Sequence, residues 1–359
     1  MPSPTKVIAE RIKATKKAEP KGPLWKGPEE DGITYSMLSR FLTCRERFRV
    51  SHIEGWGTPD EFNHYIEYGH MFHMCDETHA AGGAWTTVLV QYVKKLCEKY
   101  PLSRHKINDY YRACVQQFTE YARFWAATDR ANKQKSVHQE WVFDLPYKLP
   151  SGRTVRLRGK TDGVLLHGKT HTIKETKTKG DIDVDKVRRQ LTFDLQTMLY
   201  TVALVTDKKL NDKPVKVFYN LVKRPLGHGS IRQLKPSRKN PQGESTDEFF
   251  ARLGATFRAN PQDHFARVEA VIKPEDVQKF KDTCLDPLLE TVCHWYNATV
   301  YGSKGDISHV PYWAMNYRHP FGVRNILDEG GSTDLDEYLV TGLPIGLVRR
   351  EKLFSELEG

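Results

Sequence analysis

Apolar residues recur at helical spacing in the first third of the chain and at alternating spacing in its middle. Thr34 and Ser36 can both cap a helix, and Leu38, Phe41 and Leu42 follow at helical spacing, so a helix is expected from there to about Phe48. A second helix is expected around Tyr68–His79. Residues 86–130 read as helical throughout, with Val88, Tyr92, Leu96, Tyr111, Phe118, Tyr121 and Phe124 as the inward stripe. The period then changes. Val137, Gln139, Trp141 and Phe143 alternate with polar neighbours, which predicts a strand over 137–145. Gly152 turns the chain into a second strand, Arg153–Leu166, and His167-Gly168 makes a tight turn into a third, Thr170–Thr178. A helix over 184–206 carries Val187, Leu191, Leu195, Leu199 and Val202 on one face, and Val215–Val222 is a fourth strand.

The order helix, three strands, helix, strand predicts an α/β fold with a mixed sheet and helices packed on it. The flanks are less regular. Residues 1–30 are rich in Lys, Pro and Gly without an apolar period and read as a disordered arm. Residues 223–243 are Gly/Pro-rich and basic, and Ser245-x-x-Glu248 ahead of Phe249-Phe250 is a capping box. An amphipathic helix is expected over 274–299, and 303–335 reads as loop. The expected organisation is an arm over 1–30, a core over 31–240 with a helical insertion at about 86–130, and a C-terminal extension over 241–359 packed on that core.

Composition narrows the function classes. Apolar residues at 39% and charged residues at 28% suit a soluble globular protein. No stretch approaches the roughly 20 apolar residues of a membrane helix, and the basic N-terminus lacks the apolar segment of a secretory signal. A cytoplasmic location without membrane partners is the expectation. Six scattered cysteines, none in a C-x-x-C pair, read as reduced thiols. Residues 1–26 hold seven Lys/Arg and two Glu, half of the net charge of +10. Such an arm suits an anionic partner, nucleic acid or a membrane surface; a solubilising tail fits equally well.

The candidate chemistry lies on the second and third strands. Glu175 and Lys177 share a strand face with Ile173, and Asp162 lies across the hairpin. Two carboxylates can therefore converge beside one ammonium. Carboxylate oxygens suit Mg²⁺ or Mn²⁺, which can polarise a phosphodiester and acidify a bound water. The ammonium can orient that water or face charge developing on the phosphate. An E-x-K triplet alone is most often a solvated strand face; here Gly159 precedes Asp162 and permits close backbone approach. Gln196 and Tyr200, four apart, share a face of the next helix.

In order, Gly69-His70-Met71-Phe72-His73, Glu140, Gly159 to Asp162, Glu175 to Lys177, and Gln196 to Tyr200 resemble the motifs of the PD-(D/E)XK nuclease superfamily, most of all its RecB-like branch of phage recombination exonucleases and CRISPR-adaptation nucleases. Thr34 to Leu38 and Cys44-Arg45-Glu46-Arg47-Phe48 resemble that branch's first helix, and the resemblance covers roughly residues 32–224. It implies a restriction-endonuclease-like core of αβββαβ order. It implies that Asp162, Glu175, the Thr176 carbonyl and His73 hold the metal, that Lys177 serves the attacking water, and that Gln196 and Tyr200 bind phosphate or brace the lysine. Glu140 is equally a structural residue. The implied activity is exonuclease action on linear duplex or single-stranded DNA in recombination, replication or repair, with a phage origin and a single-strand-annealing or recombination partner protein compatible with it. Arg45 and Arg47 join Lys223, Arg224, Arg232, Lys235, Arg238 and Lys239, a run without an acid until Glu244, as candidate DNA contacts; for the run, a solvated loop is the plainer alternative.

Four other readings are weighed. His70, His73, Cys75 and His79 cluster as zinc ligands do, but lack a second ligand pair at finger spacing. Some RecB-like nucleases carry an iron–sulfur cluster on four thiolates; Cys44 matches the first, yet no cysteine follows Cys293 and Tyr312–Leu327 stands where the others would lie, so no cluster is expected and Cys44 reads as core. A DNA-end or junction binder that cleaves nothing, or a restriction-type endonuclease, could share the fold; no base-reading motif supports the latter.

Overall fold

The computed structural model describes residues 23–57, 60–132, 135–138, 140–167, 169–210, 212–226, 232–238, 241–301, 348–354 and 357. Residues 1–22 of the expected arm, Gln139, Gly168 of the expected turn, Lys239 and the stretch 302–347, with Tyr312–Leu327, lie outside the described residues; residues 23–30, expected as part of a disordered arm, are instead held in place, with Trp25 fully buried and the Leu24 amide donating to the Ile53 carbonyl at 2.6 Å. The chain divides into two compact units, one of residues 62–141 and 160–277, the other of residues 1–61, 142–159 and 278–359.

The first unit is built on a five-stranded mixed sheet. Its strands are β1 (Lys135–His138), β2 (Gly163–His167), β3 (Thr170–Lys179), β4 (Val215–Lys223) and β5 (Phe265–Ile272), adjacent in that order. All pairs are antiparallel except β3 and β4, which run parallel. A parallel pair needs a crossover, and α4 (Val184–Leu191) and α5 (Leu195–Lys208) supply it. Alternation then sorts the sheet's faces. Ile173, Glu175 and Lys177 share one face with Val217, Tyr219 and Leu221; α5 covers it, Thr197 Oγ1 lying 2.8 Å from the Tyr219 hydroxyl. Thr172, Lys174 and Thr176 look the other way, toward α1 (His64–Ala80), where Thr176 Oγ1 donates to Asp76 at 3.0 Å. Behind α1, Tyr68, Met71, Phe72 and Cys75 pack with Leu89 of α2 (Trp85–Lys99), Phe118 and Tyr121 of α3 (Arg104–Asn132), Phe257 of α6 (Thr246–Ala259), and Val222 and Phe265 of the sheet.

The second unit contains the helix Tyr35–Thr43, capped by Thr34, residues 142–159 of the paired strands Trp141–Lys148 and Thr154–Thr161, and the helix Asp286–Tyr296. Trp25 anchors it edge-on to Phe48 and Tyr296, with ring centroids 5.2 and 5.1 Å away. Arg49 and Glu54 form an ion pair with side chains 1% and 7% exposed. Removing one partner of a buried ion pair is destabilising, so Glu54→Ala is expected to lower the unfolding free energy by about 3–5 kcal/mol. Urea denaturation reads this as a lower midpoint at unchanged slope; a loss below about 1 kcal/mol would place the pair in water.

Most expected elements are present with shifted boundaries, and four differ in kind. The strand expected over 137–145 is two, β1 and Trp141–Lys148, in different sheets. The strand expected over Arg153–Leu166 breaks in the same way at Asp162, into Thr154–Thr161 and β2. The helix expected over 184–206 breaks at 192–194, because the Asp194 carboxylate accepts the Thr197 amide at 2.8 Å and restarts the helix there. The helical run over 86–130 is interrupted at Pro101, whose ring cannot continue a helix. The strand β5 was not expected at all. Its inward Arg267 breaks the apolar alternation, and Val271 is exposed. The capping box at Ser245 and Glu248 forms as expected.

Candidate active site

The strand break at Asp162 creates the site. Register pairs Gly163 with Lys174, which sets the preceding Asp162 level with Glu175. Asp162 Oδ2 accepts the Thr176 amide at 2.6 Å and lies 3.3 Å from His73 Nδ1. Glu175 is 2% exposed. Its Oε2 accepts Lys177 Nζ at 2.8 Å and Gln196 Nε2 at 3.4 Å, and Gln196 also donates to the Tyr200 hydroxyl at 3.1 Å. The other carboxylate oxygen, Oε1, is buried without a hydrogen-bond partner. His73, Asp162, Glu175, Thr176, Lys177, Gln196 and Tyr200 thus come together within one unit. Tyr200 is buried and braces Gln196 from within.

Electrostatics mark Glu175 as short of positive charge. Burial and the adjacent Asp162 carboxylate push its carboxyl up to about 8, against the pull of Lys177. Burial works against the Lys177 ammonium too, but Glu175 and Asp162 outweigh it and hold it above its ordinary value. Two acids face one ammonium, and the buried Glu175 carboxyl is raised because that single positive charge does not offset burial and the Asp162 carboxylate.

A hard divalent ion fits that deficit. Mg²⁺ is commonly held by one or two carboxylates with waters completing its shell. The unpartnered Glu175 Oε1 is an oxygen donor that hydrogen bonds leave free. Among the described residues no three His, Cys, Asp or Glu side chains are already gathered as a ligand set; Glu175 Oε2 is turned to Lys177 and Asp162 Oδ2 to the Thr176 amide. Of the competing zinc set, Cys75 is buried in the core, while His70 and His79 are exposed.

Two acids on α1 escaped the sequence reading. Asp76 follows His73 by three residues and Glu77 by four, a helical spacing that places them on its side. Asp76 pairs with Lys174 at 2.8 Å and accepts from Thr176. Burial alone would raise its carboxyl, but Lys174 and Thr176 hold it below its usual value. This pins α1, and His73 with it, to β3. Behind Thr176, Arg267 donates to Asn220 at 3.0 Å and Asn220 to Thr176 at 3.3 Å. Glu77 is raised by burial, then by Glu140 and, more weakly, Asp162. Glu140 is exposed and pairs with Lys160 at 2.5 Å.

The candidate DNA contacts are dispersed. Arg45, over the Phe41 ring at 5.1 Å, and Arg47 belong to the other unit. Lys223 pairs with Asp181 at 2.9 Å, and Arg224 covers the Tyr65 ring at 4.4 Å. Arg232, Lys235 and Arg238 are exposed. Cys44 is buried, and no helix among the described residues is long and apolar enough to cross a membrane.

No curated protein matches the sequence. The family model of the PD-(D/E)XK nuclease superfamily matches residues 33–290, a span that includes every side chain of the Asp162–Glu175–Lys177 constellation, and the chain belongs to that superfamily.

Proposed function

We propose that the chain is a divalent-metal-dependent deoxyribonuclease of the RecB-like type, acting as an exonuclease in DNA recombination, replication or repair. The observation that carries it is the convergence of Asp162 and the charge-deficient Glu175 on Lys177. Asp162, Glu175, the Thr176 carbonyl and His73 would hold Mg²⁺ or Mn²⁺. When bound, the cation supplies Lewis acidity toward a phosphodiester oxygen and lowers the pKa of a coordinated water. Gln196 holds the Glu175 carboxylate in place. The Lys177 ammonium orients the attacking water and faces the negative charge that develops on the phosphate. The test is end-labelled linear DNA beside closed circular DNA with Mg²⁺ or Mn²⁺. Loss of the linear substrate alone indicates an exonuclease; nicking of the circle indicates an endonuclease, and turnover of neither indicates a binder.

Two predictions grade the outer residues. His73→Ala is expected to weaken Mn²⁺ binding on the order of tenfold, with activity partly restored by excess metal. Titration calorimetry on folded protein decides it, and unchanged affinity makes His73 a partner of Asp162 only. Neutralising Arg232, Lys235 and Arg238 together is expected to weaken DNA binding and to flatten the plot of log affinity against log salt by about 0.9 for each phosphate no longer neutralised. An unchanged slope means that this loop is merely solvated.

A further inference from the structure

The break between α4 and α5 does more than restart a helix. It leaves Phe193 with 85% of its surface in water. A lone exposed apolar residue is ordinary; this one is set apart by its place. It directly precedes Asp194, whose carboxylate caps α5, accepts the Tyr219 hydroxyl at 3.3 Å and contributes to holding Lys177 charged. Three residues further on, Gln196 touches Glu175. The Phe193 backbone is fixed by its amide, which donates to the Gln190 carbonyl at 2.9 Å. The preceding helix exposes Lys186, Arg188 and Arg189, of which Arg188 pairs with Asp185 at 2.9 Å. An exposed apolar ring on a turn held by its backbone amide, preceded in the chain by exposed cations and followed by Asp194 and Gln196 of the acidic site, suits a nucleic-acid strand: phosphates for the cations, a base face for the ring.

We propose that Phe193 is a base-stacking residue at the rim of the active site, and that the strand delivered to Glu175 and Lys177 carries an unpaired base there. This rests on the nuclease reading above and names its substrate as a single strand or a frayed end. A phenyl ring offers no hydrogen bonds, so the contact tolerates any base.

The test compares wild type, Phe193→Ala and Phe193→Trp in Ca²⁺, using a labelled single-stranded oligonucleotide and a labelled, covalently closed circular duplex without free ends. Stacking of one base on an aromatic side chain corresponds to roughly a fivefold to 150-fold change in affinity. Phe193→Ala is expected to lose that much affinity for the single strand, with affinity for the closed circular duplex, Mn²⁺ binding and melting temperature unchanged. Phe193→Trp is expected to keep the affinity and to show indole fluorescence quenched by the oligonucleotide beyond any change in wild type. Equal single-strand affinity of Phe193→Ala and wild type, or an indole at 193 blind to the oligonucleotide, overturns the proposal. If wild type itself binds neither DNA, the nuclease reading fails with it, and this is distinguishable because it appears before any substitution is compared.

Discussion

Asp162→Ala and Glu175→Ala are each expected to slow metal-dependent cleavage by about a thousandfold or more, equivalent to roughly 4 kcal/mol of transition-state stabilisation. Each removes one of two carboxylates that face a common point, and a divalent ion held by one acid is both weakly bound and misplaced. Initial rates on end-labelled DNA at saturating Mg²⁺, with folding checked by circular dichroism, decide the matter. EDTA should reduce wild type to the same level, and cleavage that survives EDTA would falsify the two-carboxylate mechanism.

The same carboxyl makes a pH prediction. Glu175 is raised from the ordinary carboxylate value of 4.5 to about 8 by burial and by Asp162. Between those two values the metal-free native state holds a proton that the unfolded chain has released. Its stability should therefore fall as pH rises through that window, and the fall should be complete above the folded-state value. Glu175→Gln removes this titration, so its melting temperature should decline less over the same range. Metal affinity of wild type should climb through the window, because the ligand must lose its proton first.

How far the sequence reached is clearest at the two breaks. Glu175 and Lys177 were legible because strand alternation puts them on one face whatever surrounds them. That Asp162 lies on their hairpin was legible too. The sheet switch at Asp162, which opens the site, was not, since each residue of Thr154–Thr161 has the same local pattern whichever sheet it joins. Phe193 was hidden for a related reason. The stripe from Val187 to Val202 runs in phase across the break, and only the Asp194 side chain, competing for a backbone amide, interrupts it. Arg267 shows the third kind of failure. An inward charge looks like the end of a strand until its partners Asn220 and Asp129 are known. Local pattern gave the face of each side chain; the long-range partners decided which faces meet.

Lys177→Ala is expected to bind DNA nearly as well as wild type and to cut it about 100- to 1,000-fold more slowly, as the loss of one preorganised donor to a charged transition state does. The ground-state phosphodiester carries its charge spread over two oxygens that outer cations can hold, whereas in the proposed role Lys177 would face charge added only during attack. Two effects must be separated, because Lys177 also restrains the Glu175 proton. Without the ammonium that carboxyl holds its proton more tightly, which costs metal affinity near neutral pH. Single-turnover rates should therefore be measured across a Mn²⁺ series at neutral pH and again at about pH 9, beside binding of labelled DNA in Ca²⁺. A rate defect that persists at saturating Mn²⁺ and high pH belongs to the transition state. A defect that vanishes there makes Lys177 a keeper of Glu175's charge. A fall in DNA affinity as large as that of the Arg232, Lys235 and Arg238 variant makes it a phosphate anchor instead.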